Sequence, residues 1–293
     1  MVVMCPLVKR GRELSIAVPA SLVSDVPHLR EKTFKIGLVG RAAAVFCVDE
    51  VVIFPDSPEV DQSHDAEFIA TILSYMETPQ YLRKRLFRLV PELRYAGILP
   101  PLRTPHHSVP NKARDLRIGE HREGVVVSST DTGLYVDVGV ERSVLVSNVK
   151  LPMNSRVTVK ITELGRHLGA DLVGRDDPEL YWGYRAKILR VGFGHLVKDG
   201  DFDLVIATSR RGVRFMEVAG ELAERWEDAG KVLVGFGSPS MGLFEILEHE
   251  KLILSDVADF VINFVPNQGT ATVRTVEAVF SCLSVLNLLA TDR

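Results

Sequence analysis

The chain has 293 residues, room for two ordinary domains or one large one. Hydrophobic residues make up 46% and charged ones 25%, the balance of a soluble globular protein, and no run approaches the roughly 20 apolar residues of a membrane span. The net charge of −3 offers no overall attraction to nucleic acid, so an anionic partner would need a local patch.

The opening stretch, MVVMCPLVKRGRELS, has too short an apolar run for a secretory signal and reads as an ordinary first strand. Cys5, Cys47 and Cys282 lie far apart and form no CxxC pair. Buried thiols in a reducing cytoplasm account for them better than a metal or a disulfide, and a cytoplasmic location is expected. Glu13–Pro19 reads as a strand. Thr33–Phe46 is Ala-rich and apolar all round, which suits a buried helix. Arg41 lies inside it. An unpaired buried charge is costly, so Arg41 either pairs with Asp49 or Glu50 or faces a cleft. Val51–Phe54 is a second strand, closed by Pro55. Asp61–Thr78 is an amphipathic helix with Ile69, Ile72, Leu73 and Met76 on one face, stopped by Pro79.

Tyr81–Arg122 carries ten basic residues against three acidic ones, a net of +7, which leaves −10 for the rest of the chain. Arg83, Lys84, Arg85, Arg88, Lys112 and Arg114 are the candidates within it for phosphate contact; a solvated helix face followed by a charged linker is the other reading. Leu99–Pro110 has four prolines in twelve residues and reads as a crossing between domains. His106 and His107 lie in it without the Cys or second His spacing of a metal site, so no metal is expected.

From His121 the pattern changes to period two. Five short segments, Gly124–Ser128, Leu134–Val140, Ser143–Ser147, Val157–Ile161 and Ala170–Val173, predict a small barrel. A five-stranded OB-type barrel commonly binds single-stranded nucleic acid. Tyr135 lies opposite the valines, where it could stack on a base or serve as a surface tyrosine. The helix–strand pattern stops before Leu102 and resumes after Asp176. Residues 102–176 are therefore expected to form an inserted domain, with 1–101 and 177–293 forming the other.

Phe202–Ala207 is a strand running into Thr208-Ser209-Arg210-Arg211-Gly212. Val213–Ala229 is a helix with Gly230 past its end. Two similar units follow. Val232–Phe236 and Phe260–Val265 have the length and β-branched content of buried strands. Each breaks into turn-forming residues, GFGSPSMG from Gly235 to Gly242 and NFVPNQGT from Asn263 to Thr270. Ligands of open α/β sheets bind at such strand ends, and glycine lets the backbone approach them. Thr272–Leu289 is a helix so apolar that it needs burial, in its own core or against a second subunit.

GFGSPSMG and NFVPNQGTATVRTVEA resemble the second and third cofactor loops of the SPOUT RNA methyltransferases, and Thr208–Gly212 resembles the first. The resemblance covers nearly the whole chain. It is nearest to the branch with an inserted OB-type domain, which includes proposed uridine-N3 methyltransferases. One departure is Val276, where a second glutamate before Glu277 is expected. The resemblance implies an α/β fold: a mostly parallel sheet with helices on both faces, a C-terminal trefoil knot and an inserted OB-like barrel. It also implies a homodimer, an RNA substrate such as ribosomal RNA, and S-adenosylmethionine as cofactor. The residues expected to hold that cofactor are Thr208, Ser209, Gly235, Gly237, Ser238, Pro239, Gly242, Asn263, Pro266, Asn267, Gln268, Gly269, Thr270, Thr272 and Val273. Arg41, in an early region where the superfamily often places a functional arginine, is a candidate for the reaction centre. Glu277 is a candidate base that could equally cap its helix.

A non-catalytic RNA-binding protein on a dimeric scaffold is the competing reading. A nucleotide hydrolase is weak, because GxxxxGK[ST] is absent. Gly192-Phe-Gly-His and Gly235-Phe-Gly-Ser both lack the third glycine of a dinucleotide loop.

Overall fold

The computed structural model describes residues 9–289, so the stretch 1–8, including Cys5, lies outside the described residues. The chain divides into two compact units. One comprises Glu77–Pro91 and Arg103–Gly183 together with Lys9. The other comprises Arg10–Met76, Glu92–Leu102 and the chain from Tyr184 onward. The elements in chain order are β1 (Glu13–Pro19), α1 (Leu29–Val45), β2 (Glu50–Phe54), α2 (Ser63–Glu77), α3 (Gln80–Leu86), β3 (His121–Thr130), β4 (Gly133–Asp137), β5 (Val144–Ser147), β6 (Arg156–Glu163), β7 (Gly169–Val173), β8 (Arg185–Ile188), α4 (Phe193–Asp199), β9 (Leu204–Arg214), α5 (Phe215–Asp228), β10 (Lys231–Gly235), α6 (Leu243–His249), α7 (Leu254–Val257), β11 (Phe260–Asn263) and α8 (Thr275–Leu289). No helix of the described residues is long and apolar enough to cross a membrane.

The larger unit is built on a six-stranded sheet in the order β11-β9-β10-β1-β2-β8. Every pairing in it is parallel. A parallel sheet is covered on both faces, so its strands are apolar throughout rather than alternating. β1 shows this directly. Leu14, Ile16 and Val18 are buried in one core, and Ala17 is buried in the other with Val52, Phe54 and Leu233. The first core takes side chains from α1, α2, α5 and α8. The second takes them from α4, α6 and α7. The result is a mixed α/β architecture with helices on both faces of a parallel sheet.

α8 is buried along one side only. Val279, Cys282, Leu283 and Leu286 lie in the first core, and Phe280 meets Phe46 edge-on at 6.4 Å. Leu288 is 79% exposed. Leu283 and Leu286 are therefore core residues of the chain itself.

The smaller unit holds a closed five-stranded barrel in the order β3-β4-β5-β7-β6. Its interior includes Leu134, Val136, Val138, Val157, Val159 and Ile161, spaced by two along the chain, with Val140 partly buried and Val144 and Val146 added from β5. Tyr135 points the other way and is 39% exposed. The same unit contains a charged cluster that periodicity gives no sign of. Glu77 and Glu123 are almost fully buried. The Arg156 guanidinium bridges them, Arg175 Nη2 donates to Glu77 Oε1 at 2.7 Å, and Trp182 Nε1 donates to Glu123 Oε1 at 2.6 Å. Buried charges persist only when paired in this way.

Candidate active site

The carboxyl ends of β9, β10 and β11 lie side by side, because those three strands are neighbours in one parallel sheet. One loop leaves the ladder within β9, the other two follow β10 and β11, and the three line one cleft of about 330 Å³. That volume is within the range of small-molecule sites.

The first loop arises inside β9. β11 pairs with Ile206 and Ala207, then skips to Val213 and Arg214, so Thr208–Gly212 leaves the ladder as a bulge. Glycine is required where the bulge closes: a Cβ on Gly212 would lie 2.5 Å from the Val261 carbonyl oxygen. Thr208 Oγ1 donates to the Gly235 carbonyl at 2.9 Å, fixing the bulge to the neighbouring strand. The second loop folds on itself. Ser238 N–H donates to the Met241 carbonyl at 2.8 Å, and Met241 N–H donates to Ser238 Oγ at 3.0 Å. A Cβ on Gly237 would sit 2.9 Å from the Met241 oxygen, so only glycine fits this turn. In the third loop Asn263 Oδ1 accepts the Val265 N–H at 3.0 Å, while its Nδ2 donates to the Arg210 carbonyl at 3.0 Å. Gln268 Nε2 donates to the Thr270 carbonyl at 2.8 Å.

Of the residues expected to hold a cofactor, Thr208, Ser209, Gly237, Ser238, Pro239, Gly242, Asn263, Gln268, Thr272 and Val273 line this cleft. Gly235, Pro266, Asn267, Gly269 and Thr270 are not among its lining residues. Gly235 is buried under the Phe193 ring, which a Cβ would meet at 2.5 Å. Ser238, Asn263 and Gln268 bond the loops' own backbone, so they fix loop shape. Arg210, Arg211 and Glu245, which no loop motif marks as site residues, also line the cleft. Arg211 Nη2 donates to Glu245 Oε1 at 2.7 Å, and its guanidinium lies 4.4 Å from the centre of the Phe244 ring. Glu245 is the only carboxylate among the described lining residues.

Arg41 is placed elsewhere. Its Nη1 donates to the carbonyls of Pro101 at 3.0 Å and Leu102 at 2.7 Å, and it does not line the cleft. Glu277 Oε2 accepts the Arg274 N–H at 2.9 Å, the reciprocal half of a capping box at the start of α8. It does not line the cleft either.

The candidate RNA residues all belong to the barrel-containing unit, and much of their charge is already engaged. Arg85 pairs with Asp137 at 2.9 Å, and Arg114 lies 3.8 Å from Asp115. Arg83 Nε donates to the Thr78 carbonyl at 2.9 Å. Arg122, part of the +7 stretch, is fully buried against Glu120. Lys84, Arg88 and Lys112 are exposed; Lys112 lies in the field of Glu141. His106 is buried, and its Nε2 meets the Glu77 carboxylate at 3.0 Å; His107 Nε2 bonds the Glu77 carbonyl at 2.7 Å.

A parallel α/β sheet whose three adjacent carboxyl-end loops line one cleft has the architecture of a small-molecule site. Residues 13–286 match the protein family described as "Putative RNA methyltransferase". This chain belongs to that RNA methyltransferase family and is a transferase. It is 32% identical to the human 28S rRNA (uridine-N(3))-methyltransferase, over 94% of this chain and 79% of the human protein. It is 33% identical to the mouse protein of the same name, over 94% and 76%. The Drosophila melanogaster protein of that name is 33% identical over 93% of this chain and 61% of its own length.

Proposed function

We propose that this chain transfers the methyl group of S-adenosylmethionine to N3 of a uridine in ribosomal RNA. The observation that carries the reading is the gathering of three loops around one cleft in a chain of this family. The names of the mammalian and insect relatives support the uridine and the ribosomal RNA.

The cleft fits such a cofactor. Its walls combine apolar surface from Phe236, Ile262, Phe264 and Val273 with loop backbone, and its size suits a nucleoside-containing ligand. Bound there, S-adenosylmethionine would supply an electrophilic methyl group. Gly237 keeps the second loop tight enough for backbone N–H and C=O groups to read an adenine edge. Ser238, Asn263 and Gln268 hold the loops in that shape. Glu245 would take the N3 proton, leaving the nitrogen free to displace the methyl group from the sulfonium, whose S–C bonding pair would return to sulfur to give the neutral thioether; Arg211 orients that carboxylate.

In the same reading the chain through the third loop and α8 is the knotted segment. The barrel, at about residues 102–176, is an inserted OB-like RNA-binding domain that uses Tyr135 and Lys112, and Lys84 and Arg88 of the Glu77–Pro91 segment add phosphate contacts. The protein is a cytoplasmic homodimer. The test is transfer of labelled methyl groups from S-adenosylmethionine to ribosomal RNA, followed by digestion to nucleosides. Label in 3-methyluridine is expected; label confined to another nucleoside would overturn the assignment.

A further inference from the structure

We infer that the ridge Arg210–Met216, beside the cleft, is a second RNA-docking surface, with Arg210 and Arg214 holding backbone phosphates that flank the target nucleotide. The inference rests on the proposed methyl transfer to RNA and adds a contact surface that the barrel does not provide.

Three arginines occur within five residues here, and they are not equivalent. Arg211 is neutralised by Glu245. Arg210 makes a single 3.3 Å bond, from Nη1 to the Ala271 carbonyl, and has no carboxylate partner among the described residues. Arg214, at the end of β9, is exposed and also lacks one. Glu217, in the first turn of α5, makes no ion pair with either. Two cations left unpaired in a chain of net charge −3, next to a cleft that must admit an anionic polymer, are suited to bind phosphate.

The ridge is also held in place. The Arg210 carbonyl accepts Asn263 Nδ2, and Gly212 packs against the Val261 backbone. Between and beside the arginines, Val213 is 45% and Met216 81% exposed. Exposed apolar side chains interleaved with fixed cations suit a single strand, whose phosphates and base faces are both accessible.

The test measures binding of a fluorescent oligouridylate to the full-length chain across a salt series. Each lost phosphate contact should make the logarithmic salt slope shallower by about 0.7. Arg214→Ala should lose one contact and the Arg210→Ala, Arg214→Ala pair two. For the pair, the fall in affinity between 50 and 200 mM salt should shrink by roughly sevenfold. The Arg210→Lys, Arg214→Lys pair should restore the wild-type slope, which a purely structural role for these side chains would not do. Calorimetry on Arg214→Ala should show cofactor affinity retained. A wild-type slope in the alanine pair, or a lysine pair that behaves like the alanine pair, overturns the proposal. If the wild-type chain shows the salt-dependent binding but transfers no methyl group, the activity reading fails while the docking surface stands.

Discussion

The Thr275 hydroxyl donates to the Gly237 carbonyl at 2.9 Å, tying the first turn of α8 to the second loop of the cleft. The two loop-bearing segments that look alike in sequence are thus joined through one side chain. Thr275 is nearly buried, so its hydroxyl has little access to water as a substitute partner. Thr275→Val removes the donor at constant shape. Stability should fall by about 1 kcal/mol, the net worth of one hydrogen bond. Cofactor affinity should fall with it, because the Gly237 turn loses its anchor. Urea unfolding and titration calorimetry on the same samples check both; unchanged affinity would remove this tie from the site.

Glycine at the second loop gives a sharper contrast. Gly237→Val places a side chain against the Met241 carbonyl, so the turn must open and cofactor binding should be lost. At Gly269 a Cβ meets nothing within 4 Å, so Gly269→Val should leave stability within about 0.5 kcal/mol and cofactor affinity intact. Equal losses in both variants would contradict this placement of the cleft.

α8 divides its own predictions. Leu286 is buried in the core of the chain, so Leu286→Ala should cost about 2–5 kcal/mol whatever the oligomeric state. Leu288 is exposed, so Leu288→Asp should cost little in the folded chain. If the proposed homodimer uses this face, Leu288→Asp should shift light-scattering mass from two chains toward one. A wild-type chain that stays monomeric at micromolar concentration contradicts the dimer.

The buried cluster of the barrel-containing unit predicts a pH dependence. Burial holds His107 neutral, with its pKa lowered to about 4 from 6.5, helped by the neighbouring His106. For Glu77, burial alone would raise the carboxyl. The His106 hydrogen bond and the charges of Arg156 and Arg175 outweigh that and hold it well below the usual carboxylate range. Both groups are depressed in the folded state, so the unfolded chain binds the extra protons and stability is lost as pH falls. For His107 the window runs from about 6.5 down to about 4, and the Glu77 contribution disappears at lower pH. The urea midpoint reported by tryptophan fluorescence should drop between pH 7 and pH 4. His107→Asn should flatten the decline in that window; an unaltered slope would show that His107 does not control it.

Much of this was legible from the chain. β1 spans the residues its apolar run predicts, and β2 follows closely, because buried parallel strands are continuous apolar runs. Thr208–Gly212 is a loop only in the sense of a bulge, since β9 continues through Val213 and Arg214; pairing across a bulge depends on the partner strand, which local sequence does not reveal. β8 was missed because Arg185-Ala-Lys-Ile188 is a short edge strand with no β-branched run. α4 and α6 have seven residues each, too few for a helical period to register. The Glu77 cluster was missed for another reason. His106-His107 looks like a linker pair, and Glu77 looks like a solvated helix end. Only the tertiary fold shows that Arg156 and Arg175 reach that carboxylate from far along the chain. Charge counting likewise gives no sign that Arg85 pairs with Asp137, far along the chain, or that Arg122 is fully buried beside Glu120.

In the proposed reading, the Gly237 cleft is where this chain methylates uridine N3 in ribosomal RNA. The most direct measurement is quantitative mass spectrometry of ribosomal RNA nucleosides from cells lacking the gene and from the same cells given back either the wild-type chain or Gly237→Val. One 3-methyluridine should disappear on deletion, return with the wild-type chain and stay absent with Gly237→Val. A 3-methyluridine level unaffected by deletion, or fully restored by Gly237→Val, would contradict the account.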